Sequence, residues 1–297
     1  VATDANVHSD DRIGGFRFVR ILHQGQNSTI MEVVQESTGK RFVLKQMLPN
    51  AALDSLERKA FEFEAKLGME LRHPNLIRVH EYFKTKGEPP YFVMDYFLSS
   101  THLRMVVGKP KQHEWVRPKL HWVIEQAAGA LAYMHEKGWV HRDIKPENII
   151  INKVGETRVI DYALAMKIRT GLGKLFGGKP PRQGTHSYMS PEQILRVPPS
   201  ISSDVYSFGI TCYELACGRQ PFRANSPMEL LNKHLKEPPS PPTVHNREIT
   251  PEFSDLVMKM IKKKPTDRPT NLREFVSTFA RVRIYRDDPD PMAERYA

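Results

Sequence analysis

The chain has 297 residues, 44 Lys+Arg against 34 Asp+Glu for a formal net charge of +10, and a make-up that is 40% hydrophobic and 26% charged. That is the composition of an ordinary globular protein with chain enough for one large or two modest cores, and it excludes a disordered or fibrous polypeptide. No run of about 18 apolar residues occurs, so no transmembrane helix is expected within the chain, and the basic excess has neither a Lys/Arg tract nor aromatic interleaving, so no nucleic-acid partner is expected.

Residues 1–11 are polar, carry no signal-peptide pattern and read as a flexible lead-in; Val1 in place of an initiator Met points to a piece of something longer. From Phe16 the pattern alternates. Phe16-Arg17-Phe18-Val19-Arg20-Ile21-Leu22, Thr29-Ile30-Met31-Glu32-Val33-Val34-Gln35 and Arg41-Phe42-Val43-Leu44-Lys45-Gln46-Met47 read as three antiparallel strands. Polar turns at 23–28 and 37–40 join them, and the first could lie over a ligand. Residues 53–71 read as a helix with an apolar stripe of Leu56, Ala60, Phe63, Leu67 and Leu71. Residues 76–83 and 91–94 give two more strands, completing a five-stranded lobe.

The pattern then turns helical. Pro118 suits a first turn, and Leu120, Val123, Ile124, Ala127, Leu131 and Met134 form one stripe that ends near Gly138. Ile149-Ile150-Ile151 and Val159-Ile160 flank a turn at 152–156 and read as a hairpin that returns Asn148 and Asp161 to one end. Two oxygen ligands there suit Mg²⁺ beside phosphates, leaving Asp143 to accept a proton and Lys145 to neutralise phosphate charge. Residues 170–184 are glycine-rich and basic, a mobile loop by composition. Cys212 and Cys217 lie in an apolar helical stretch and read as buried thiols of a reducing compartment, hence a cytoplasmic location. Pro238-Pro239-Ser240-Pro241-Pro242 reads as an extended connector between helices, and 284–297 as a charged tail.

His141-Arg142-Asp143-Ile144-Lys145-Pro146-Glu147-Asn148 resembles the catalytic loop of protein kinases in its serine/threonine form. Gly184-Thr185-His186-Ser187-Tyr188-Met189-Ser190-Pro191-Glu192 is similar to the end of their activation segment. Asp204-Val205-Tyr206-Ser207-Phe208-Gly209 is similar to their next helix start, with Tyr206 for the usual Trp, and Arg268 stands where the family places the partner of Glu192. The Met189-Ser190-Pro191-Glu192-Gln193 ending looks like that of bacterial members.

The resemblance implies an α+β bilobal fold: a small β-rich lobe at about 12–94, a hinge at 95–98 and a larger, mainly helical lobe at 99–283, with ATP between them. It implies transfer of the γ-phosphate of ATP to Ser/Thr hydroxyls of a protein substrate, with Mg²⁺. Lys45, held by Glu64, would bind phosphate oxygens; Asn148 and Asp161 would hold the cation; Asp143, Lys145 and Thr185 would act on the transferring group. Gly25 would lie over the phosphates, Ile30, Val43 and Ile150 would line the adenine, Met94 would stand behind it, and backbone groups of Asp95 and Phe97 would bond its edge. A regulatory or sensor domain is expected outside this stretch. The alternative is a pseudokinase, a nucleotide-binding scaffold or allosteric module without transfer. The chain departs from the family pattern at His23 and Ser28, which replace outer glycines of the phosphate loop, at Ser99-Ser100, and at Tyr162-Ala163, which follows Asp161 in place of Phe-Gly.

Overall fold

Alternating apolar residues make the first part of the chain a sheet that buries both faces. In the computed structural model, which describes residues 12–107, 109, 114–168, 183–198 and 200–294, the chain divides into two units. One comprises the residues up to Arg72 with Ile77–Leu98; the other comprises His73–Leu76 and the residues from Ser99 onward. The lead-in expected at 1–11 and most of the loop expected at 170–184 lie outside the described residues.

The first unit is a six-stranded antiparallel sheet in the order β1-β2-β3-β4-β6-β5. The strands are β1 (Arg12–Ile13), β2 (Phe16–Gln24), β3 (Ser28–Gln35), β4 (Arg41–Met47), β5 (Val79–Phe83) and β6 (Tyr91–Asp95). The short β1 is additional to the five strands read from the sequence. The strand expected at 76–83 begins only at Val79, because Leu76 instead forms a parallel bridge to Val159 in the second unit's own set of residues. One face of the sheet gathers Phe16, Phe18, Met31, Val33, Leu44, Tyr91 and Val93. The other packs Met47, Val79 and Phe92 on Phe61 and Ala65 of helix α1 (Ser55–Glu70).

Helix α1 corrects the expected stripe. Asp54 caps it, accepting from the N–H groups of Leu56 and Glu57, so the helix starts at Ser55 rather than 53. Its buried residues are Phe61, Glu64, Ala65, Leu67 and Gly68, whereas Leu56 is 73% exposed and Ala60 is exposed too. The inward face carries a glutamate, which a hydrophobicity pattern assigns to solvent.

The second unit is built on α2 (Leu120–Glu136), whose expected stripe is buried throughout. A three-stranded sheet joins β7 (Thr101–His102), β9 (Ile149–Ile151) and β10 (Thr157–Val159), and β8 (Trp139–Val140) pairs with β11 (Met166–Lys167). The hairpin β9–β10 pairs Ile149 with Val159, and the Ile160 N–H donates to the Asn148 carbonyl at 3.0 Å, which closes the loop on which Asp161 follows. Among the described residues, helices α3 (Pro191–Ile194), α4 (Ile201–Cys217), α5 (Pro227–Lys236), α6 (Pro242–His245), α7 (Pro251–Met260), α8 (Leu272–Phe279) and α9 (Pro291–Glu294) follow. The proline-rich segment links α5 to α6 as expected. Cys212 and Cys217 are free thiols on α4; burial pushes both up, Cys217 to about 12. No described helix is long and apolar enough to cross a membrane.

The stretch read as a charged tail begins inside the core. Ile284 and Tyr285 are fully buried. The Thr250 N–H donates to the Ile284 carbonyl at 2.9 Å, the Tyr285 hydroxyl donates to the Ala216 carbonyl at 3.2 Å, and Arg117 lies 4.3 Å above the Tyr285 ring. Two apolar residues among arginines and aspartates give no periodic signal, yet they staple α4 to the start of α7.

Gly209 marks the tightest contact of α4 with the α7 end: a Cβ there would sit 2.7 Å from the Met260 Cβ and 2.8 Å from the Ile261 Cγ2. Ala is the better helix former, but it would have to displace that turn. Gly209→Ala is expected to lower stability by about 1–3 kcal/mol in urea unfolding; a variant as stable as the parent would show that α7 yields without cost.

Candidate active site

The first unit brings Lys45 and Glu64 together. β4 turns Lys45 to the same face as Ile30, its partner on β3, and Phe92, its partner on β6. The Glu64 carboxylate comes to that face from α1 and receives Lys45 Nζ at 2.7 and 2.8 Å, one bond to each oxygen. The Lys45 ammonium also lies 5.7 Å from the Phe92 ring centre. Both side chains are largely buried, so their charges interact through a poorly screening interior. Val43, two residues before Lys45, faces the same way and pairs with Met94. The Asp95 N–H is spent on the Arg78 carbonyl at 3.0 Å, so of its two backbone groups the carbonyl is the one a base edge could use. Phe97 follows two residues beyond the end of β6. Gly25 sits in a turn closed by its own N–H to the Ser28 carbonyl at 2.9 Å; a Cβ there would meet only ordinary contacts.

The second unit brings Asp143, Lys145, Asn148 and Thr185 into one network. Lys145 Nζ donates to Asp143 Oδ2 at 2.6 Å and to Thr185 Oγ1 at 2.8 Å. Asp143 Oδ1 accepts from the Thr185 N–H at 2.9 Å and from its hydroxyl at 3.0 Å. Asn148 Nδ2 donates to the Asp143 carbonyl at 2.8 Å and to Oδ2 at 3.2 Å. Burial alone would raise the Asp143 carboxyl, but the charge and hydrogen bond of Lys145 and the Thr185 N–H outweigh it and hold it below the usual carboxylate range. Asp143 is therefore an ionised acceptor at neutral pH. Ile150 is buried on β9, opposite Arg158 and His102.

The donor set suits a small hard cation. With its amide nitrogen committed to Asp143, Asn148 turns its oxygen the other way. Asp161, which accepts from the Ala163 N–H at 3.2 Å through Oδ1, supplies a carboxylate. Mg²⁺ takes few protein oxygens and completes its shell with water and phosphates. No group of three or more His, Cys, Asp or Glu side chains among the described residues is placed to hold a metal by itself. The backbone at Asp161 is left-handed, φ 69°, as is that of Arg142, φ 70°. Such conformations cost about 1–3 kcal/mol for non-glycine residues and persist only where surrounding bonds impose them.

Those bonds come from residues that motif spacing did not single out for this role. Asp204, in the first turn of α4, is fully buried. Its carboxylate accepts from the backbone N–H groups of His141 at 2.7 Å and Arg142 at 2.9 Å, and from His135 Nε2 at 2.9 Å. Gln193 Nε2 donates to the Arg142 carbonyl at 2.9 Å. His141 donates through Nε2 to the Ile160 carbonyl at 3.2 Å, fixing the residue before Asp161. Gly184, φ 114°, passes so close that a Cβ would lie 3.1 Å from the Arg142 carbonyl oxygen. A glycine is needed there to bring Thr185 to Asp143. The sequence signal available for Asp204 was its place in a helix start followed by apolar residues, an unusual position for a carboxylate.

Further out, Ser190 and Gln193 form a capping box on α3, whose Glu192 carboxylate takes a two-pronged ion pair from Arg268 at 2.7 and 3.1 Å. Arg268 also lies 4.8 Å above the ring of Tyr206, the residue that replaces Trp. The Tyr206 hydroxyl and Nδ1 of His234 share a hydrogen bond at 2.9 Å, and burial together with nearby Lys263 lowers the His234 pKa to about 3, keeping that ring neutral. Tyr162 is buried, with its hydroxyl on the Val159 carbonyl at 3.4 Å and its ring edge-on to His141.

Burial opposes the charge on Asp204, but its bonds from His135, the charge of His141 and the Arg142 N–H prevail and lower its pKa below the ordinary 3.8. Its contribution to stability is therefore complete above that value and lost as pH falls through the lower folded value. Asp204→Asn cannot accept all three donors. It is expected to cost about 2–4 kcal/mol in urea unfolding at pH 7 and to flatten the acid limb of the stability profile; an unchanged acid limb would show that the carboxylate is not what titrates there.

Comparison with known proteins identifies the family. The family model described as a protein kinase domain matches residues 16–279. Serine/threonine-protein kinase PknA of Mycobacterium tuberculosis (strain ATCC 25618 / H37Rv) is 30% identical over 287 residues, 94% of this chain and 63% of that protein. A probable serine/threonine-protein kinase of Streptomyces coelicolor is 31% identical over 264 residues, 86% of this chain and 38% of that protein. Serine/threonine-protein kinase PknB of Mycolicibacterium smegmatis is 32% identical over 228 residues, 75% of this chain and 35% of that protein. The chain thus spans under two thirds of the length of these relatives, and over that span, with Lys45 on Glu64 and Asp143 on Lys145 and Thr185, it belongs to the protein kinase family.

Proposed function

We propose that this chain is the catalytic domain of a serine/threonine protein kinase, transferring the γ-phosphoryl group of ATP to a hydroxyl of a protein substrate. The observation that carries the reading is the Asp143 carboxylate, kept ionised by Lys145 and Thr185 and oriented by Asn148. Phosphoryl transfer needs positioned charge more than covalent chemistry.

In this reading Asp143 accepts a hydrogen bond from the substrate hydroxyl and takes its proton as the oxygen attacks phosphorus. Lys145, already bonded to Asp143 and Thr185, neutralises charge on the transferring group. Lys45, steadied by Glu64, binds phosphate oxygens of the nucleotide. Asn148 and Asp161 would hold Mg²⁺, which when bound neutralises phosphate charge and sets the angle of attack. Ile30, Val43 and Ile150 are carried over as adenine contacts, Met94 as the residue behind the base, the Asp95 carbonyl and Phe97 backbone as its hydrogen-bonding edge, and Gly25 as part of the phosphate turn. The domain is taken as a small lobe at about 12–94, a hinge at 95–98 and a larger lobe beyond, now including Ile284 and Tyr285. The pseudokinase alternative is disfavoured, because Lys45, Glu64, Asp143, Lys145 and Asp161 are all present, with Lys45 paired to Glu64 and Asp143 to Lys145.

The test is transfer of labelled γ-phosphate from Mg-ATP to a generic protein acceptor. Asp143→Asn is expected to lower kcat by about 10²–10⁴ with an unfolding temperature near the parent's, and Lys45→Met, which strands the buried Glu64 charge, by a similar factor with a lower unfolding temperature. Equal signal from the three proteins would sink the kinase reading. Mg-ATP is also expected to raise the unfolding temperature of the parent more than ATP with a chelator does.

A further inference from the structure

One buried carboxylate of the first unit has no part in the proposed chemistry. Glu32 lies mid-strand on β3, with its side chain 1% exposed. It faces the same side of the sheet as Val43, its partner on β4, and Arg20, its partner on β2. A carboxylate in that row of a sheet is costly unless fully bonded. It is bonded twice: Arg20 Nε donates at 2.8 Å and Arg41 Nη1 at 2.6 Å. Both arginines are more than half exposed, so the acid is underneath and the cations form its lid. The paired charges pull the Glu32 carboxyl down although burial alone would raise it.

The lid reaches Tyr96. The Arg41 guanidinium lies 5.9 Å from the Tyr96 ring centre, and the Tyr96 hydroxyl, after Glu32, helps to raise the Arg20 pKa. Tyr96 is the first residue past β6, one step beyond the last β4–β6 pair, Phe42 with Asp95. Its neighbour Asp95 is gripped separately. His80 Nε2 meets Asp95 Oδ1 at 2.6 Å, the His80 ring packs edge-on to Phe42 at 5.4 Å, and the Asp95 N–H is bonded to the Arg78 carbonyl. Two successive residues where the chain leaves the sheet are thus held from different strands, Tyr96 through Arg41 of β4 and Arg20 of β2, both anchored on Glu32 of β3, and Asp95 through His80 of β5.

We propose that Glu32 is a positioning residue for nucleotide binding: through Arg20 and Arg41 it clamps Tyr96, and with the His80–Asp95 pair it pre-sets the backbone of residues 95–97 that receives the adenine edge. The proposal rests on the kinase reading for the identity of the ligand, while the clamp itself is a property of the first unit alone. A pre-set backbone loses no freedom on binding, so the clamp acts on affinity for the base and not on the transfer step.

The experiment compares the parent with Glu32→Gln, Tyr96→Leu and Arg41→Lys. Steady-state kinetics with Mg-ATP are expected to give KM raised about fivefold in the first two with kcat within about twofold, and Arg41→Lys, which keeps the cation, closer to the parent. Adenosine affinity is expected to fall by the same factor, and inorganic triphosphate, which has no base, to bind as before. Amide exchange at residues 95–98 without nucleotide is expected to quicken about tenfold in Glu32→Gln. Tyr96→Leu leaves the buried Glu32 with both arginines, so it tests the clamp even if Glu32→Gln folds poorly. Exchange at 95–98 unchanged in both variants would overturn the clamp whatever the ligand. Exchange that quickens while KM and adenosine affinity stay constant would overturn its role in positioning. A parent that takes up no ATP would overturn the kinase reading and the adenine role with it.

Discussion

Much of the second unit depends on the carboxylate of Asp204. It sits fully buried in the first turn of α4, where the unpaired N–H groups of a helix start favour negative charge. It then reaches out of the helix to two successive backbone N–H groups of the loop that carries Asp143. Those two bonds let Arg142 hold φ 70°, a conformation its side chain disfavours. The kink sets the direction of the next residue. Asp143 thereby points at Lys145 and Thr185 rather than along the strand direction of β8. The geometry of the proposed base is a consequence of a helix start some sixty residues later in the chain.

The same device recurs at four other buried carboxylates among the described residues. Glu64 is met by both bonds of Lys45, Glu192 by two prongs of Arg268, Glu214 by Arg104 and the Tyr188 hydroxyl, and Glu32 by two arginines. A buried pair adds little net stability over an apolar substitute, yet losing one partner strands a charge and is severe. Such pairs therefore select one arrangement rather than strengthen it. In this chain they stand at the points where the proposed site must not move: the lysine proposed for phosphate, the segment after Thr185, the support of Tyr188, and the strand that carries Ile30.

What the sequence made legible follows from what each signal is made of. Alternation placed β2, β3 and β4, and a stripe of apolar residues placed α2, because burial there is carried by hydrophobic side chains at a fixed period. The face of α1 was misread because one of its inward residues is Glu64, and a charge counts as solvent-facing until its partner on another strand is known. Ile284 and Tyr285 were misread because two residues are too few to show a period. The catalytic-loop string was legible as a motif, but its support was not. Asp204, Gln193 and Gly184 act on Arg142 across long stretches of chain, through bonds to the backbone, which leave no mark on the residue they hold. Glu32 was hidden inside a strand whose alternation it does not break.

The positions where glycine has been kept and lost sharpen the picture. Gly184 must remain glycine, since its φ of 114° and its approach to the Arg142 carbonyl leave no room for a side chain. Gly25 is under no such demand from its own chain, and His23 and Ser28 on either side of it already carry side chains, one in β2 and the other at the start of β3. Ser99 holds φ 53° at a place where the family usually has glycine, and Ala163 follows Tyr162 where glycine would permit a second conformation. Glycine is thus retained at Gly184, where close approach requires it, while His23, Ser28 and Ala163 stand where glycine would supply freedom. Each replacement narrows the backbone conformations open to the segment, and the clamp on Asp95 and Tyr96 narrows those of the segment leaving the sheet. A domain built in this way takes its working geometry from fixed contacts rather than from a flexible loop, and the residues that hold those contacts are as much part of its chemistry as Asp143 itself.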